Sequence, residues 1–71
     1  MKLRGTVEFR DIETGVWVLE GEDGRTYQLS GGSAALRKKG QRVEIDGNVD
    51  AGAMTIAMVG PVLRVRGFRA V

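Results

Sequence analysis

The sequence predicts a small, mainly β protein: a barrel of five to six strands with one short helix between the third and fourth. Three observations carry that expectation. Apolar residues recur with a period of two in short runs, as half-buried strands require. Eleven glycines and a single proline break those runs at close intervals, the punctuation of turns. Only Ser33 to Gly40 departs clearly from the two-residue period.

Leu3, Gly5, Val7 and Phe9 alternate with Lys2, Arg4, Thr6, Glu8 and Arg10, predicting a first strand with its odd positions inward. Asp11 to Gly15 turns the chain. Val16-Trp17-Val18-Leu19 is apolar on both faces, so the pattern leaves its orientation open. Asp23-Gly24 predicts a hairpin, because both residues tolerate a positive φ. The third strand carries Tyr27 and Leu29 on one face, Thr26 and Gln28 on the other.

Ser33 to Lys39 then predicts about two helical turns. Ser33 suits the N-cap, Leu36 points to the core, Lys38 and Lys39 suit the negative end of the dipole, and Gly40 supplies a left-handed stop. Val43 and Ile45 alternate with Arg42, Glu44 and Asp46 in the next strand. After a turn from Asp50 to Ala53, Met54 to Val59 predicts a further strand, which Gly60-Pro61 breaks before the last one. The expected core is Leu3, Val7, Phe9, Trp17, Leu19, Tyr27, Leu29, Leu36, Val43, Ile45, Ile56, Met58, Leu63 and Val65.

That order of elements, in 71 residues, is the layout of an OB-fold, a five-stranded Greek-key barrel with a helix between its third and fourth strands. A small Src-homology-type barrel is the alternative, and normally has no helix there. The stretches "GVWVLEGEDGRTYQL", "LRKKGQRVEIDG" and "MVGPVLRV", about half the chain, resemble small stand-alone bacterial OB-like proteins of unknown function. The resemblance implies the barrel and no activity.

Composition excludes much chemistry. The chain is short enough to be one domain, residues 1–71. It has no cysteine and no histidine, which removes thiolate chemistry, the commonest metal ligand and the commonest general base. Asp46, Asn48 and Asp50 have the spacing that opens a calcium loop, but Ala51 stands where its glycine belongs and Ala57 where its bidentate glutamate belongs. Glu20 with Glu22, and Glu44 with Asp46, form i,i+2 carboxylate pairs that alternating charge on a solvated strand face explains without catalysis. No glycine-rich turn matches a phosphate loop. The expectation is a protein that is not an enzyme, with no catalytic, cofactor or metal residues. No apolar run is long enough for a signal peptide or membrane span, so a cytoplasmic protein without a membrane partner is expected.

The C-terminal Arg66-Gly67-Phe68 opens like an RNA-recognition signature, but Arg69 and Ala70 then replace the small residue and second aromatic. Strict alternation from Leu63 and Val65 would bury Arg69 and expose Phe68. A bulge at Gly67 turns Phe68 and Ala70 inward and leaves Arg69 in water, the cheaper arrangement for an arginine.

Charge is divided along the chain. Residues 1–24 carry three basic and six acidic side chains; residues 25–71 carry eight and three. The regions through which an OB barrel usually holds single strands are therefore acidic here: Asp11 to Glu13, Glu20 to Asp23, and Asp50. The favoured function is a non-enzymatic OB-like binding module for a protein or small molecule. Its interaction patch is Ile12, Val16 and Val18, and it acts as a monomer or weak homodimer. The alternative is weak, non-sequence-specific binding of single-stranded nucleic acid through Arg37, Lys38, Lys39, Arg42, Arg64, Arg66 and Arg69.

Overall fold

The computed structural model describes residues 1–12, 15–50, 52 and 60–71. The described residues form five strands: β1 Lys2–Arg10, β2 Val16–Gly21, β3 Thr26–Gly31, β4 Arg42–Asp50 and β5 Val62–Ala70. Each hydrogen-bonds to two neighbours in the order β1-β2-β3-β5-β4, and β1 pairs with β4 to complete a ring. All pairings are antiparallel except β3 with β5, which is parallel. The predicted strand over Met54 to Val59, with the core positions Ile56 and Met58, lies outside the described residues.

β1 serves two partners. Its first half pairs with β4, its second half with β2, and Gly5 faces both Val43 and Gly21. The strand must bend sharply there, and Gly5 permits it: a Cβ would fall well inside contact distance of the Glu20 carbonyl oxygen. Gly47 has the same role on β4, where a Cβ would strike the Arg64 carbonyl oxygen. Opposite it β5 bulges: Gly47 pairs with Val65 and Asp46 with Gly67, so Arg66 is the extra residue.

The bulge resolves the tail as the unfavourable burial of arginine predicts. Phe68 faces Ile45 and packs on the core, while Arg69 faces Glu44 on the outside. The core cluster is Val7, Leu19, Tyr27, Leu36, Val43, Ile45 and Leu63, bordered by Leu3, Trp17, Leu29, Val49, Val65 and Phe68. Two expectations shift. Phe9 keeps its inward register but lies near the end of β1 and is 40% exposed. Val18 and Val62 are buried although both pair with Gln28 on the outer face.

The hairpin at Asp23-Gly24 forms as predicted. Gly24 has a φ of 83°, and the Gly21 amide donates to the Arg25 carbonyl at 2.8 Å. The segment after β3 is shorter than predicted. It holds one 3₁₀ turn, Ala34–Leu36, and Ser33 makes no side-chain capping bond. A helix this short makes too few internal bonds to offset its nucleation, so the turn is held instead by Leu36, which is fully buried.

Gly5→Ala should therefore lower stability by about 1–3 kcal/mol in urea unfolding, because β1 and β2 must separate to admit the methyl group. Gly67→Ala should be neutral or stabilise by about 0.5–1 kcal/mol, since open space surrounds that position. Equal effects at both sites would contradict the proposed role of Gly5.

Candidate functional site

Phe9 and Trp17 are direct partners across the β1–β2 ladder. Side chains of such a pair share one face, and the rings meet edge to face with centroids 5.1 Å apart and planes at 62°. This geometry contributes about 0.5–1.5 kcal/mol beyond burial. Gly15, with a φ of 92°, passes so close to Phe9 that a Cβ would collide with the ring. Its amide donates to the Ile12 carbonyl at 2.7 Å. The result is a rim where Phe9 and Ile12, 40% and 38% exposed, remain open to solvent.

The predicted patch of Ile12, Val16 and Val18 is thus only partly assembled. Ile12 is exposed and Val16 half-buried. Val18 is fully buried and is withdrawn from the surface. It lies opposite Glu8 and Gln28 on the two strands that pair with β2. Phe9, expected in the core, takes its place among the exposed apolar residues. The signal for this lay in its position one residue before the strand ends.

Across β1, β4 and β5 the outer face is laced by charge. Glu44 accepts from Arg4 at 3.0 Å and from Arg69 at 3.1 Å, and its side chain is only 13% exposed. Beside this triad an open groove is lined by Lys2, Asp46, Gly67 and Phe68. The other predicted carboxylate pair also faces cations: Glu20 takes Arg10 at 2.5 Å and Glu22 takes Arg42 at 2.6 Å. Asp46, Asn48 and Asp50 alternate along β4, an extended strand that does not wrap a cation as a loop would. Among the described residues no three metal-binding side chains gather.

Ion pairing divides the seven basic residues of the nucleic-acid alternative. Arg42, Arg64 and Arg69 are bound to Glu22, Asp50 and Glu44. Arg37 donates to the Gly31 and Ser33 carbonyls, at 3.2 and 3.4 Å, and keeps its charge. Lys38, Lys39 and Arg66 are exposed, and no described carboxylate pairs with them. No helix among the described residues is long and apolar enough to cross a membrane.

A family model described as a protein of unknown function, DUF5818, matches residues 4–70. The chain belongs to the DUF5818 family. The match takes in β2 to β5 whole and β1 from Arg4 onward. No curated protein and no solved structure matches the chain.

Three ionisable groups tie stability to pH. Hydrogen bonds from Arg4, then Arg69, hold the Glu44 carboxyl below its ordinary 4.5. The Tyr27 hydroxyl, which donates to Asp23 at 2.7 Å, and then the Arg25 amide hold Asp23 below its ordinary 3.8. The same bond to Asp23 raises the Tyr27 phenol above 10.0. Lowered carboxyls stabilise the fold fully above their ordinary values, and that stabilisation fades as pH falls through the folded-state values. A raised phenol stabilises below its ordinary value and loses the effect as pH rises through the folded-state one. Glu44→Gln should therefore flatten the loss of stability below pH 4.5, and Tyr27→Phe should flatten both limbs. Urea midpoints measured against pH decide this; slopes identical to the unmodified protein would refute the assignments.

Proposed function

We propose that this chain is a non-enzymatic, OB-type binding module whose ligand, a protein or small molecule, is held at the rim formed by Phe9, Ile12 and Trp17. The OB-type assignment draws its support from the strand order, with parallel β3 and β5 and β1 shared between β2 and β4. One observation carries the binding role. Phe9 is aligned with the core, fixed by Trp17 and Gly15, and yet 40% exposed. Rigid aromatic side chains at an opening are the usual anchors of binding surfaces, because little rotamer freedom is lost when they are covered.

The surroundings favour a protein or small molecule over a polyanion. Glu8 and Asp11 flank Phe9 and Ile12 in sequence, and neither has a cationic partner among the described residues. Their charge repels phosphate. The lack of histidine and cysteine in the sequence, and the engagement of Glu20, Glu22 and Glu44 by arginines, support a role without catalysis.

Cross-linking in extracts of the source cell, comparing the unmodified protein with Phe9→Glu, tests this function. The expected outcome is a partner retained by the unmodified chain and lost from a folded Phe9→Glu variant. A parallel fragment screen by NMR should shift the Trp17 indole resonance together with the amides of Ile12 and Gly15. Identical capture by both proteins, with no rim shifts in the screen, would count against the rim as a binding site.

A further inference from the structure

We infer that the 3₁₀ turn and the β5 bulge together form a second binding surface, for the phosphodiester backbone of a single-stranded nucleic acid, made by Arg37, Lys38, Lys39 and Arg66. Backbone pairing brings the two segments together. The Arg37 guanidinium donates to the Gly31 carbonyl at 3.2 Å, Gly31 is the Cα partner of Val65, and Arg66 follows Val65 directly. Gly32 rests against Val65 and Leu36, so closely that a Cβ there would lie 3.1 Å from each side chain. The turn is thereby docked on β5.

The four cations differ from most arginines of the rest of the surface, although Lys2 and Arg25 are likewise outside the described salt bridges. Arg4, Arg10, Arg42, Arg64 and Arg69 are each ion-paired to a carboxylate. Arg66 is the bulge residue, without a cross-strand partner, and no described carboxylate meets it. Lys38 and Lys39 are exposed and equally free of carboxylates. Arg37 is held by two backbone carbonyls, which orient the guanidinium without neutralising it and leave donors for a phosphate. No acidic residue occurs between Gly31 and Val43, or after Pro61. Glu8 of β1 adjoins the end of this segment, since the Gly40 amide donates to the Val7 carbonyl at 2.7 Å, but no described ion pair joins it to Lys38 or Lys39.

The chemistry of the surface selects the occupant. Among the described residues the exposed large apolar side chains are Met1, Phe9, Ile12 and Val71, and none belongs to the 3₁₀ turn or the bulge. A protein partner needs an apolar anchor and a membrane surface needs a side chain to insert; this surface offers charge alone. Reading a duplex groove takes an α-helix or a free β-ribbon, and this surface is one 3₁₀ turn beside a strand paired on both sides within the ring. A flexible single strand can instead follow the cations with its phosphates, without reading sequence.

Fluorescence anisotropy of labelled oligothymidylate across a salt series provides the test. With four phosphates neutralised, the slope of log K against log salt should be about −3. Lys38→Ala with Lys39→Ala should make that slope shallower by about 1.4 and weaken binding about tenfold or more at low salt. Arg42→Gln with Glu22→Gln, which removes an exposed ion pair at constant net charge, should leave binding unchanged. Equal losses in the two double variants, or no binding at low salt, would overturn the inference. Inorganic polyphosphate and phosphatidylserine vesicles serve as competing probes. Tighter binding of either, with the same dependence on Lys38 and Lys39, would overturn the assignment to nucleic acid.

Discussion

The structure depends on one constraint, the closure of a short sheet on itself. A ring of five strands requires at least one strand to bend between two partners, and here β1 does so at Gly5, which faces Val43 on one side and Gly21 on the other. β4 bends at Gly47, where the β5 backbone comes too close for any side chain. With those two approaches made, Val7, Leu19, Tyr27, Val43, Ile45 and Leu63 converge in one interior, and Leu36 joins them from the connection between β3 and β4. A chain this short buries only about 60% of its unfolded surface, so that interior is the main source of its stability.

Closure also decides which residues face solvent and in what company. The extra residue in β5 inverts the alternation of the tail: Phe68 goes to the core, Arg69 to Glu44, and Arg66 is released from pairing. On the outer face, pairing across strands sets Arg4 and Arg69 on either side of Glu44. Exposed ion pairs contribute little to stability, but they determine how much cationic charge remains available to a ligand. Paired and unpaired arginines look alike in composition. They are separated by register.

The two proposed surfaces follow from this geometry and have opposite character. The rim carries aromatic area beside free carboxylates; the 3₁₀ turn and bulge carry cations with no apolar anchor. Membership of the DUF5818 family assigns neither, since the family is described as of unknown function. What separates the surfaces is a difference in what each excludes: phosphate is repelled at the rim, and apolar partners find nothing to bury at the turn.

Much of the fold was legible in the sequence because alternation and turn chemistry are local. The two-residue period placed β1, β3 and β4, Asp23-Gly24 marked the hairpin, and the cost of burying Arg69 foretold the bulge. The helix is shorter than its signals suggest, because a capping serine and a glycine stop mark the ends of a helix but not whether so few residues can sustain one. The site was less legible. Val16-Trp17-Val18-Leu19 reads as apolar on both faces, and only the folded chain shows that Val18 is buried while Val16 stays half-buried. Likewise Phe9 matched a core position, and only its place at the end of β1 opened it to solvent. The sequence by itself determined the strands, their inward faces and the division of charge along the chain, for these depend on neighbours a few residues apart. The tertiary structure alone decided which cations are neutralised and which apolar residues are exposed, because ion pairs such as Arg4–Glu44 and contacts such as Phe9–Trp17 join residues that only strand pairing brings together.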